Sequence, residues 1–313
     1  MINLFATSLL TPGVQNVIRY RFGFLNRKLT YRFDGGEIAL VSEFDQNENW
    51  IERYAHTDGF LYPPTTRSRN SKGNRSSNSD RPAHLHRLPA SHELRLTTNS
   101  PSSDNHRSHA SFIMQLVAYL HGTWLQFADW WFDSRVPLNG THNIHFATKT
   151  AEHFLSHAYT KWQGWPDKAR TRFTNVLFML NRAPSYEWDW EHFLIEYMVF
   201  DACVKTTKDL GLLSPSGKGA LKQASQFDLL CSTFGLRQKD NLRDDMVRLR
   251  NDLFHEALWD GGQPGAAKTP SSYFSPLHLR RFNQRLILAI LAYNNDYVKS
   301  AWWSMSQSSF QKP

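Results

Sequence analysis

Two cysteines, Cys203 and Cys231, are all that this 313-residue chain contains. Both sit among apolar neighbours, so a disulfide framework is not expected, and a reducing cytoplasm is the natural setting. Long apolar runs are also lacking. The longest apolar region, 112–132, is broken by Gln115, His121, Gln126 and Asp129, which suits a bundle helix and not a membrane span. Residues 1–7 have no basic group ahead of their short apolar stretch, a poor secretion signal. Cofactor motifs are missing as well. The stretch 211–219 superficially suggests a phosphate loop, but no Ser or Thr follows Lys218 and no strand pattern precedes it. No cofactor is therefore expected.

What is present suits a folded chain with one sizeable core and a smaller second one: 41% hydrophobic and 14% aromatic residues. The formal charge of +8 is unevenly spread. Between Arg67 and Ala110 eight Lys/Arg oppose three acids, a net of +5. Residues 68–80 within it carry no apolar side chain, so the stretch reads as a linker or an RNA-gathering arm without a core of its own. Ahead of it the pattern has period two. Ile18-Arg19-Tyr20-Arg21-Phe22 and Leu29-Thr30-Tyr31-Arg32-Phe33 alternate, and Asp34-Gly35-Gly36 supplies a tight hairpin turn. Leu94-Arg95-Leu96 can complete the sheet from beyond the linker. The expected class is α+β: a small β-rich domain over 1–66, a basic linker over 67–108, and a mainly α-helical bundle over 109–313.

No proline or glycine interrupts 238–260, where Leu242, Met246, Leu249 and Leu253 recur at helical spacing. This predicted helix carries Arg250-Asn251-x-x-x-His255. Arginine offers a permanent forked cation that matches a phosphate, and histidine exchanges protons near neutrality. Together they can cleave a phosphodiester by 2′-hydroxyl attack without a metal. The same Arg-to-His offset recurs at Arg81/His86 and Arg87/His92, in Pro- and Ser-rich sequence without helical pattern; context gives the Arg250 string its weight. On a regular helix Asn251 and His255 share a face turned from the leucine stripe, and the long stem of Arg250 reaches that side. Val247, Phe254 and Leu258 border it, a second apolar face that suggests a partner.

An acidic helix over 191–203 lies upstream, with Tyr197 and Asp201 one turn apart and Glu196 beside them. A closing helix over 277–299 keeps Leu279, Phe282, Leu286, Ile290 and Tyr293 in register. These three segments resemble the HEPN superfamily (higher eukaryotes and prokaryotes nucleotide-binding domains), most closely the Apea-like branch of prokaryotic defence proteins. The resemblance spans roughly residues 150–300. It implies an antiparallel bundle of four or five helices, a homodimer, and a composite cleft where two Arg-x4-His motifs face each other. Active members are metal-independent endoribonucleases, whereas others have lost catalysis and serve as scaffolds or nucleotide-binding modules. The resemblance thus implies Arg250, Asn251 and His255 as catalytic residues, with Glu196 or Asp201 orienting Arg250. RNA would be the substrate, and the N-terminal domain would sense or restrain, with an inhibitory or triggering protein partner, as in a toxin or antiphage effector.

A second basic cluster, Arg280, Arg281 and Arg285, is expected either to track an RNA backbone or to form the wet face of the closing helix. Metal chemistry is the competing reading, since His142 and His145 precede His153 and His157 at i, i+4 spacing. No His-Glu-x-x-His string or nearby cysteine supports it, and no metal ligand is assigned.

Overall fold

The computed structural model describes residues 16–54, 56–62, 65–69, 75–82, 87–98, 103–131, 135–138, 144, 146–213, 223–266, 269–301 and 303. The architecture is α+β, an antiparallel sheet near the N-terminus followed by helices. Strands β1 (Asn16–Gly23), β2 (Tyr31–Phe33) and β3 (Gly36–Leu40) come first. As expected, β2 and β3 form a hairpin closed by a two-residue turn, with Phe33 paired to Gly36. Gly35 adopts φ +112° there, and a Cβ at this position would lie 2.7 Å from the Tyr159 ring. Only glycine meets both demands. Helix α1 (Phe44–Tyr54) and two short strands, β4 (His56–Thr57) and β5 (Phe60–Leu61), follow.

The segment expected to be an unstructured linker contains β6 (Thr65–Arg69) and β7 (Arg75–Pro82), paired antiparallel. Residues 70–74 between them lie outside the described set. Strand β8 (His92–Thr98) then inserts between β3 and β1, as the Leu94-Arg95-Leu96 pattern anticipates. Helix α2 (Ser103–His121) ends before Gly122, whose φ is +61°. The chain then supplies β9 (Gln126–Phe127) to the edge of the sheet, giving the order β2-β3-β8-β1-β9. The apolar region 112–132 is thus part helix and part strand. Strand β10 (Val136–Pro137) pairs with β5.

The bundle continues with α3 (Thr148–Gln163), α4 (Asp167–Arg182), α5 (Asp189–Asp209), α6 (Gln223–Phe234), α7 (Leu242–Asn251), α8 (Pro270–Ile290) and α9 (Asp296–Lys299). Sheet and helices do not form separate domains at the expected boundaries. Phe22, Ile38, Leu94 and Phe127 of the sheet share one continuous core with α2 to α8, and strands outside 1–66 complete the sheet. A smaller core, around Phe24, Phe44, Ile51, Leu61 and Trp124, lies beneath α1. Helix α2 is buried on all sides from Phe112 to Leu120, the mark of a central helix. Its Gln115 is satisfied by Asn181, whose Nδ2 donates to the Gln115 backbone and side-chain oxygens at 2.9 Å each.

From Leu279 onward helix α8 is equally enclosed, and this overturns the expected surface role of its arginines. Arg280, Arg281 and Arg285 are 4%, 2% and 0% exposed. The Arg280 Nη1 donates to Glu196 Oε1 at 2.8 Å and to the Leu180 carbonyl at 2.6 Å. Asn283 Nδ2 holds the other carboxylate oxygen at 2.9 Å. Arg285 stacks against Tyr297 and Trp303 at 4.7 and 4.5 Å and donates to Ser300 Oγ. These cations are held inside the protein by carbonyls, amides, rings and one carboxylate. They form no basic stripe.

Candidate functional site

Helix α7 begins later and ends earlier than the predicted 238–260. Asn241 stands at φ +63° ahead of it, and after Asn251 the hydrogen-bond ladder widens into a π turn, Asp252–Glu256, closed by Ala257 at φ +55°. The leucine stripe holds: Leu242, Met246 and Leu249 are buried, and Leu253 packs against the same core.

The π turn decides the site's geometry. On a regular α-helix, residues five apart are about 140° apart around the axis and cannot face each other. An i to i+5 ladder brings such positions one above the other. Arg250 Nη1 accordingly lies 2.7 Å from His255 Nε2. A guanidinium can only donate, so Nε2 is the acceptor and the neutral ring carries its proton on Nδ1. The same Nη1 donates to Asn251 Oδ1 at 3.1 Å. All three motif residues thus meet at one guanidinium, although Asn251 bonds Arg250 and not His255.

Arg250 differs from its neighbours in what it pairs with. Arg243 bonds Asp228 and Asp244, and Arg248 is tied to Asp245 and Asp260. Among the described residues no carboxylate lies within ion-pair distance of Arg250. Its guanidinium sits over the Phe254 ring at 5.3 Å, and Phe254 in turn meets Tyr197 at 5.8 Å. Burial pushes the Tyr197 phenol above its usual range, and the nearby Arg250 cation works against that shift. Phe254 is 47% exposed, while Met198 and Leu258 are also open, so an apolar rim adjoins the polar group.

The carboxylates expected to orient Arg250 do not. Glu196 is committed to Arg280 and Asn283 in the interior. Asp201 is exposed on α5 and makes no ion pair with Arg250. Tyr197, one turn before Asp201, and Phe254 border the guanidinium in their place. Tyr197 was visible in the Tyr197-x-x-x-Asp201 spacing and Phe254 as an apolar border of the motif face, but their contact with each other and with the guanidinium had no signal in the sequence.

The histidines of the competing metal reading have other commitments. His157 Nε2 donates to the Leu291 carbonyl at 2.8 Å, and His153 Nδ1 lies 3.1 Å from the Tyr293 hydroxyl. His142 and His145 lie outside the described residues. Among the described residues no group of three His, Cys, Asp or Glu is arranged to hold a metal ion, and no helix is long and apolar enough to cross a membrane. The stretch 214–220 also falls outside the described set. No protein-family model matches the chain, and neither a curated protein nor a solved structure matches it.

Proposed function

We propose that the chain is a metal-independent endoribonuclease of the HEPN type, acting at Arg250, Asn251 and His255. The observation that carries this reading is a half-buried guanidinium that faces an exposed histidine and, among the described residues, lacks a carboxylate partner. An RNA phosphate can take the place of His255 as acceptor for Arg250 Nη1. The freed Nε2 then accepts the proton of the attacking 2′-hydroxyl, while Arg250 holds the added negative charge on phosphorus. The leaving 5′-oxygen needs a proton in the same step, and one chain offers one histidine here. A second copy supplies the other, and its approach would cover Phe254, Leu258 and Met198; this is why we infer a homodimer. A cytoplasmic toxin or antiphage effector, restrained by a protein partner, fits such chemistry.

The test is cleavage of single-stranded RNA by the full chain. His255→Ala should abolish it and Arg250→Ala should lower it about 10²- to 10³-fold, the usual loss when one charge-stabilising donor is removed. Products should carry 2′,3′-cyclic phosphate and 5′-hydroxyl ends, EDTA should change nothing, and DNA should resist. Metal dependence or 5′-phosphate ends would defeat the mechanism. A binding-only module is the second reading, favoured by the direct Arg250–His255 hydrogen bond, which occupies the base. Binding without cleavage would select it.

A further inference from the structure

A second site lies away from the Arg250 group, between β5, the 3-10 turn Ala183–Ser185 and the first turns of α5 and α8. A cavity of about 480 Å³ opens there, within the range of sites that enclose small ligands. Its walls are aromatic. Phe60 and Tyr186 line it, and Tyr273 and Phe274 stand at α8, 58% and 44% exposed with rings 5.0 Å apart edge to face. Flat apolar surfaces of this kind stack bases.

The polar groups of the cavity are of two kinds. Glu187 and Asp189 are acceptors, and among the described residues neither makes an ion pair with Lys or Arg. Burial raises the Asp189 carboxyl above its usual range, and only His192 opposes the shift. Glu187 is exposed, Asp189 is half-buried, and the third carboxylate of the lining, Glu196, is taken by Arg280 and Asn283, so Glu187 and Asp189 are the acceptors a ligand can reach. Arg135 is the opposite case. Its Nε and Nη2 donate to the Ser185 and Tyr186 carbonyls at 3.0 and 2.8 Å, and its guanidinium lies over Phe60 at 4.3 Å. These contacts fix the fork; among the described residues Nη1 has no acceptor, and a phosphate oxygen suits it.

We propose that this cavity is a guanine-nucleotide site: Glu187 and Asp189 accept from the N1–H and N2–H₂ edge of the base, the aromatic walls stack it, and Arg135 takes the phosphate. Adenine presents no such pair of adjacent donors and leaves a carboxylate unmatched. A guanidinium ligand presents the donors but carries no phosphate for Arg135, while Arg280, which also lines the cavity, is already neutralised by Glu196. The guanine edge is neutral and the nucleotide's charge lies at the phosphate end. The guanine can belong to a free nucleotide or to an RNA strand; the recognition is the same.

Isothermal titration calorimetry of the full chain with GMP, AMP and free arginine tests the site. GMP should bind at least tenfold more tightly than AMP, with arginine weakest. Asp189→Asn and Glu187→Gln should each erode the preference for GMP, and Tyr273→Ala, at an exposed position, should weaken GMP and AMP alike. His255→Ala should bind GMP as the wild type does, so failure of the ribonuclease reading is distinguishable from failure of this one. With that variant, displacement of GMP by a guanine-containing oligoribonucleotide assigns the site to an RNA base, and no displacement assigns it to a free nucleotide. Equal binding of GMP and AMP, no GMP binding, a preference for arginine, or unchanged discrimination in both carboxylate variants would overturn the proposal.

Discussion

Replacing Arg280 by methionine removes one side of the buried ion pair and keeps much of the apolar volume. Glu196 is 1% exposed and receives the Arg280 Nη1 at 2.8 Å. With the cation gone, its carboxylate retains only Asn283, which donates to Oε2 at 2.9 Å and to the backbone oxygen at 2.8 Å. An uncompensated buried charge of this kind costs about 3 to 5 kcal/mol. With an m-value near 3 kcal/mol/M in urea, the unfolding midpoint should fall by about 1 to 2 M at neutral pH. Acid should relieve part of the loss. Burial already raises the Glu196 pKa above its ordinary value, with Arg280 and Asn283 opposing. A folded state with a raised carboxyl pKa binds more protons than the unfolded chain, so stability falls as pH rises through that interval. Removing Arg280 extends the interval upward, and the deficit should shrink as pH drops towards the ordinary carboxylate range. The double variant Glu196→Leu/Arg280→Met should recover most of the loss, because it leaves no charge behind. If Arg280→Met leaves the midpoint unchanged at neutral pH, Arg280 is not buried against Glu196, and the surface role expected for it from sequence returns.

Three further substitutions separate core from site. Burial pushes the His92 pKa down to about 4. A depressed folded pKa means the stabilisation is present above the unfolded value near 6.5 and is lost as pH falls towards 4, worth about 3 kcal/mol over that window; His92→Leu should flatten this part of the pH profile of the urea midpoint, and an unchanged slope would contradict the burial. Leu249, fully buried, should cost about 2 to 5 kcal/mol as alanine. His255→Ala, at an exposed position, should stay within about 0.5 kcal/mol of wild type. Equal thermal losses for these two would make His255 a structural residue.

Much of the sheet was legible in local chemistry. Asp34-Gly35-Gly36 specifies the turn because positive φ and the approach of Tyr159 admit no Cβ at Gly35, and alternation along β1 and β8 sets which side chains enter the core. The stripe Leu242, Met246 and Leu249 likewise fixed the buried face of α7. Arg250, Asn251 and His255 could be picked out as one group from residue type and spacing. The long stem of Arg250 was expected to bring its guanidinium to the Asn251/His255 side; the direct hydrogen bond between Arg250 and His255 depends on a π turn that the spacing does not reveal.

Tertiary structure alone decided the rest. Periodicity assigns charged positions to water, but α8 is surrounded by α5, α6, α7 and α9, so Arg280, Arg281 and Arg285 had no exposed side to occupy. The same enclosure turned Glu196 from a possible companion of Arg250 into the counter-charge of Arg280. Domain boundaries went the same way. Composition marks 67–108 as a linker, yet β8 from within it lies between β1 and β3; the alternation of Leu94-Arg95-Leu96 announced a strand for the sheet, and only the pairing of distant segments set its place at the centre. Residue type and spacing determined which side chains this protein has for chemistry; the packing of α5, α7 and α8 determined which of them reach solvent.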